Sequence, residues 1–115
     1  PRTSQNDPYH AASLALAQSL KKEMSAEVIV GFNEFCAPTL DEALELAAAQ
    51  SPEKVIVVTP MMTRGGNHSE HDIPLAIGRA RERYRHLAIE YVWPFDTQAI
   101  ARFLAAEINR HLGRM

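Results

Sequence analysis

The chain has 115 residues, 46% hydrophobic and 23% charged, which suits one folded domain with a single core and excludes a disordered segment. A formal net charge of −2 gives no basic excess for nucleic acid, and no apolar run approaches the ~20 residues of a membrane span. One cysteine, Cys36, excludes an intrachain disulfide and a cysteine-built metal cluster.

Asp7-Pro8 reads as an N-cap followed by proline at the first helical position, and Ala11, Leu14, Ala17, Leu20 and Met24 recur at helical spacing behind it. "EVIVGF", residues 27–32, predicts a strand. Thr39 with Glu42 three positions later is a capping box that opens a second helix through "TLDEALELAAAQ". "KVIVVT", residues 54–59, is a continuous apolar run, the pattern of a strand buried on both faces. A third helix is expected from about Ile73 to Arg85 on Ile73, Ala76, Ile77, Ala80 and Tyr84. "AIEYVW" reads as a third strand. Asp96 caps a last helix with Ile100, Phe103, Leu104 and Ile108 on one face, and Gly113 ends it.

Alternating helices and strands imply parallel strands joined by helical crossovers: an α/β fold, a three-layer α/β/α sandwich of flavodoxin-like or chelatase-like type, in one domain over residues 1–115. Three strands are few for four helices, so a further strand is expected before Pro1. In such sheets ligands bind beyond the carboxyl ends of the strands. The longest loop there runs from Pro60 to Asp72 and contains "TRGGNHSEHD".

Gly65-Gly66 stands between a strand and a helix, where backbone N–H groups gather round an anion, although a plain turn explains it equally well. Neither the dinucleotide fingerprint nor the phosphate loop is present, so a nucleotide-binding flavodoxin-like domain rests on the glycine pair alone. His68 and His71 are three apart. Imidazole suits cobalt, iron, nickel or zinc, and equally a proton transfer near neutral pH, while lone surface histidines are common. The spacing is neither HExxH nor HxxEH, which disfavours a zinc protease. His71 reads as solvent-facing or capping, and Ser69 and Asp72 as caps of the following helix. Glu34, in the neighbouring strand-end loop, is either a proton acceptor or cation neighbour in the same crevice or a solvated carboxylate. Met61, Met62 and Phe35 would line that crevice, or simply top the core. Arg64 is a rim cation suited to a carboxylate ligand, with a solvated arginine as the default. Cys36 reads as an inert buried thiol.

"RGGNHSEHDIPLAI" and "FNEFCAPTLDEAL" together resemble the small sirohydrochlorin chelatases of the CbiX/SirB type. The likeness lies in G-x-H, three residues, then D-I-P after a strand, and in Glu, three residues, then Pro-Thr-Leu before a helix. It covers the chain from about Val28 onward. It implies a class II chelatase fold, with the tetrapyrrole in a cleft at the strand ends. It also implies ATP-independent insertion of Co2+ or Fe2+, or Ni2+, as metal substrate in cobalamin or sirohaem biosynthesis, with no permanently bound cofactor. On this resemblance His68 is the histidine that binds metal or takes pyrrole protons, and Glu34 is the acidic residue facing the same cleft. Gly65, Gly66 and Asn67 back the macrocycle, while Arg64 and Met61 complete the substrate-binding set. The family begins with a strand ending in His-Gly, which would have to lie upstream of Pro1; His10, inside the first helix, is not its counterpart.

The expected protein is a cytoplasmic homodimer whose partners are a tetrapyrrole and a divalent ion, with neither nucleic acid nor membrane. The alternative is a non-catalytic metal- or tetrapyrrole-binding module.

Overall fold

The computed structural model describes residues 6–32 and 36–114. Helices α1 (Pro8–Met24) and α2 (Leu40–Ala49) come first, and strands β1 (Lys54–Val58) and β2 (Ala88–Val92) then alternate with helices α3 (Ile73–Arg83) and α4 (Thr97–His111). The strands are parallel and in register from Lys54 beside Ala88 to Val58 beside Val92, with α3 as the crossover between them. This is the expected α/β arrangement.

Helices α1, α2 and α4 begin where short polar side chains satisfy unpaired N–H groups of the first turn. Asp7 accepts from the Tyr9 N–H at 3.0 Å, with Pro8 at the first helical position. The α2 capping box is closed in both directions: the Glu42 N–H donates to Thr39 Oγ1 at 3.1 Å, and the Thr39 N–H to Glu42 Oε1 at 2.8 Å. Asp96 accepts from the Ala99 N–H at 3.2 Å, and Gly113 follows α4 at φ 75°.

The core lies between α3, one sheet face and the flank of α2. Ile73, Ile77 and Ala80 of α3 and Ile89 of β2 are buried together, with Leu40, Leu44, Val55, Val57 and Tyr91 packed around them. Strand alternation sends Val55 and Val57 inward and leaves Lys54, Ile56 and Val58 outward. The small side chains of Ala76 and Ala80 are almost fully covered. Arg81 also donates to the Ile89 carbonyl at 2.8 Å, tying the helix to the strand it covers.

Two sequence expectations change. Among the described residues the sheet has two strands, not three: residues 27–31 form no ladder, and Phe32 makes a single parallel bridge with Thr39. The reason is local. A Cβ on Gly31 would stand 2.8 Å from the Ala43 Cβ, so this segment runs hard against α2. The Phe32 N–H then turns back to the Pro38 carbonyl at 2.8 Å instead of meeting a neighbouring strand. β1 is not buried on both faces either, since Ile56 is 56% exposed. The apolar side chains Phe103, Leu104 and Ile108 of α4 are likewise exposed. No described helix is long and apolar enough to cross a membrane.

Candidate active site

β1 and β2 end side by side, and the segments that follow them are fastened to each other. The Trp93 indole N–H donates to the Met61 carbonyl at 2.8 Å, and the Tyr91 hydroxyl to the Ser69 carbonyl at 3.0 Å. The two rings stack at 6.1 Å. Both aromatics thus present an apolar body to the fold and a polar tip to the loop after β1.

That loop does not enter α3 through an ordinary cap. His68–Asp72 forms a π-helical turn, closed by the Ile73 N–H on the His68 carbonyl, and it runs straight into α3. Asp72 has helical backbone angles and makes no side-chain cap bond, contrary to the capping role expected of it. Its carboxylate instead accepts from His68 Nδ1 at 2.7 Å, with Asn67 Nδ2 at 3.5 Å and His71 Nδ1 at 3.4 Å around it. Positions four apart share one face here as they do on an ordinary helix, and π-helical turns are frequent at functional sites. Ser69, the other expected cap, is wholly buried under the loop, and its hydroxyl donates to the Gly66 carbonyl at 3.3 Å.

A carboxylate only accepts hydrogen bonds, so the 2.7 Å contact makes Nδ1 the protonated nitrogen of a neutral His68. Nε2 is then the basic nitrogen. The His68 side chain is 36% exposed. This dyad can take a proton, its imidazolium form steadied by Asp72, or present a nitrogen to a metal ion with a carboxylate behind it.

Arg64 is not the unpaired rim cation the sequence suggested. Its guanidinium forms a two-pronged pair with Glu70, Nε to Oε2 at 3.0 Å and Nη2 to Oε1 at 2.9 Å, and it lies 5.7 Å from the centre of the Trp93 ring. The Gly65 N–H adds a third bond to Glu70 at 3.1 Å. The Arg64 hydrogen bond first, and the Gly65 N–H second, hold the Glu70 carboxyl down to about 2. The same bond raises the Arg64 pKa. Gly65 sits at φ 101°, a left-handed value that favours glycine. Gly66 is constrained by packing instead: a Cβ there would meet Ser69 Oγ at 3.3 Å and Met61 Sδ at 3.9 Å.

The structure therefore gathers Met61, Arg64, Gly65, Gly66, Asn67 and His68 in one strand-end loop. Glu34 and Phe35 lie outside the described residues. Cys36 is buried, its thiol 3.7 Å from Asp7 Oδ2, and His10 stacks on Phe32 at 4.7 Å. An open groove of about 220 Å3 adjoins the dyad, lined by Thr39, Leu40, Asp41, Asp72, Leu75 and Arg79. Sequence reasoning missed Glu70, Tyr91 and Trp93. The alternation of Tyr91 and Trp93 across the end of β2, both aromatics with a hydrogen-bonding tip, was the available signal.

The CbiX family model matches residues 3–110, nearly the whole chain. The chain belongs to the CbiX family. The match to the sirohydrochlorin ferrochelatase of Priestia megaterium is 28% identical over 99 residues, 84% of this chain and 37% of that protein. The sirohydrochlorin cobaltochelatase of Methanothermobacter thermautotrophicus is 38% identical over 63 residues, 55% of this chain and 43% of that protein. A third relative, the sirohydrochlorin cobaltochelatase of Methanopyrus kandleri, is 43% identical over 51 residues, 44% of this chain and 35% of that protein. This CbiX chain thus spans less than half the length of each of these relatives.

Proposed function

We propose that this chain inserts a divalent ion, Co2+ or Fe2+ and by the same chemistry Ni2+, into sirohydrochlorin or a related tetrapyrrole without ATP, as a lyase of cobalamin or sirohaem biosynthesis. The observation that carries the proposal is the His68–Asp72 pair at 2.7 Å on a π-helical turn beyond the end of β1, in a chain of the CbiX family. Relatives named as cobaltochelatases and as a ferrochelatase support the choice of ions.

Metal enters a tetrapyrrole only as the pyrrole N–H protons leave. In this reading His68 Nε2 accepts a proton or guides the incoming ion, and Asp72 holds the ring in place and stabilises the imidazolium. Glu34 is proposed as the second acidic group facing the ion. Arg64, Gly65, Gly66, Asn67 and Met61 are proposed to meet the macrocycle, the donors at its carboxylate rim and Met61 at its apolar face. The same reading assigns a cytoplasmic homodimer that carries no resident cofactor and binds neither nucleic acid nor membrane.

The test is anaerobic insertion into sirohydrochlorin, followed by absorbance, with cobalt, ferrous and nickel ions compared on one preparation. His68→Ala is expected to lower turnover by at least about 100-fold, as general acid–base groups contribute on that scale, with an unchanged circular dichroism spectrum. Unchanged turnover in that variant sinks the assignment. Tetrapyrrole binding without insertion by the unmodified protein would instead identify a binding module.

A further inference from the structure

We propose that Glu70 is an internal stand-in for a substrate carboxylate: it fills a carboxylate receptor made by the Arg64 guanidinium and the Gly65 N–H, and the tetrapyrrole rim displaces it. The inference rests on the proposed tetrapyrrole reading for the identity of the ligand, and on geometry for the receptor itself. Three donors converge on one carboxylate at 3.0, 2.9 and 3.1 Å, two from the planar fork of Arg64 and one from backbone. This is the donor set that recognises a carboxylate of any origin. The receptor is built within four residues of His68, on the same loop, so a rim group held there brings its macrocycle beside the dyad.

The occupant is easily exchanged. Arg64 and Glu70 both face solvent, where water screens the pair and an incoming carboxylate replaces its bonds one for one. Nothing lies within 4 Å of the position a Cβ would take on Gly65, so the surface beside the receptor is open. Arg64 also keeps a footing when Glu70 leaves, because the Trp93 ring lies 5.7 Å away. The competing account is a plain brace, in which Glu70 only stiffens the loop. The two differ in sign: removing a stand-in strengthens carboxylate binding, whereas removing a brace weakens it.

Glu70→Gln separates them, since the amide keeps an acceptor for the Gly65 N–H and gives up the charge that binds Arg64. The whole chain is titrated with mellitate, a rigid polycarboxylate, while the Arg64 Nε–H resonance is followed by NMR. Arg64→Ala and the double variant, which lack that resonance, are titrated by calorimetry alongside the other two proteins. Glu70→Gln is expected to bind about threefold more tightly than the unmodified protein, the scale of a screened exposed pair, and both variants lacking Arg64 are expected to lose the gain. No tightening in Glu70→Gln, or a gain that survives Arg64→Ala, overturns the stand-in. Sirohydrochlorin binding, read by its fluorescence in the same four proteins, is expected to follow the same order. Mellitate binding in that order with no sirohydrochlorin binding upholds the receptor and overturns the tetrapyrrole reading.

Discussion

Helices α3 and α4 carry closely similar apolar repeats and meet different fates. On α3, Ile73, Ala76, Ile77 and Ala80 are all buried, and Ile73, Ile77 and Ala80 share a core with Ile89 of the sheet. On α4, the bulkier Phe103, Leu104 and Ile108 are each about half exposed. The smaller pair of alanines is part of the reason, since short side chains let α3 approach the strands closely. The rest is connection: α3 is the crossover between two paired strands, so it has a sheet face to cover. The consequence for function is direct. The π-helical turn that carries His68 and Asp72 is continuous with α3, so the candidate site rides on the most tightly packed helix of the fold.

Breaking the packed side gives the largest expected effect. Ile77, 2% exposed, loses both its burial and its neighbours' contacts on truncation, and Ile77→Ala is expected to cost about 2–5 kcal/mol. Phe103→Ala on α4 is expected to stay within about 0.5 kcal/mol despite removing a larger side chain. Urea unfolding of both variants checks the contrast, and an equal loss from Phe103 would mean that α4 is covered in solution. Next in size is Asp72→Asn. The amide still accepts from His68 Nδ1 but no longer stabilises an imidazolium, so insertion is expected to fall about 10–100-fold while the unfolding midpoint scarcely moves. A full rate in Asp72→Asn would reduce the dyad to a structural contact.

The elements were legible from the chain wherever the signal was local. Caps at Asp7, Thr39 and Asp96 are short-range hydrogen bonds, and the buried face of α3 follows from helical periodicity alone. Parallel pairing was legible for β1 and β2, but the fate of the first expected strand was not. "EVIVGF" has the composition of a strand, but strand formation depends on a neighbour, and Gly31 against Ala43 directs this segment to α2. In the site, the loop was located from its order after β1, whereas His68, Gly65, Gly66 and Asn67 took their expected roles from the resemblance to the CbiX chelatases. The role of Asp72 was misread, because an aspartate before Ile-Pro looks the same whether it caps a helix or lies inside a π-turn. Glu70 was invisible for a similar reason: its bonds reach back five and six residues across a loop, a spacing no helical or strand repeat encodes.

The smallest expected effect falls on that loop and gives its fastening a sign. Glu70 titrates at about 2 in the folded chain against an ordinary value of 4.5. A carboxyl whose folded pKa is depressed stabilises the protein above its unfolded pKa, and that contribution fades as pH falls from about 4.5 toward 2. The Glu70 side-chain carboxyl carbon is therefore expected to titrate near the bottom of that window in NMR. In Arg64→Ala its midpoint should rise most of the way back, because Arg64 is the larger cause, with the Gly65 N–H retaining part of the depression. The difference in stability between the unmodified protein and Arg64→Ala should shrink across the same window and remain small throughout, since the pair is open to solvent and screened. A difference that grew in acid would place the charge that matters to this loop somewhere other than Glu70.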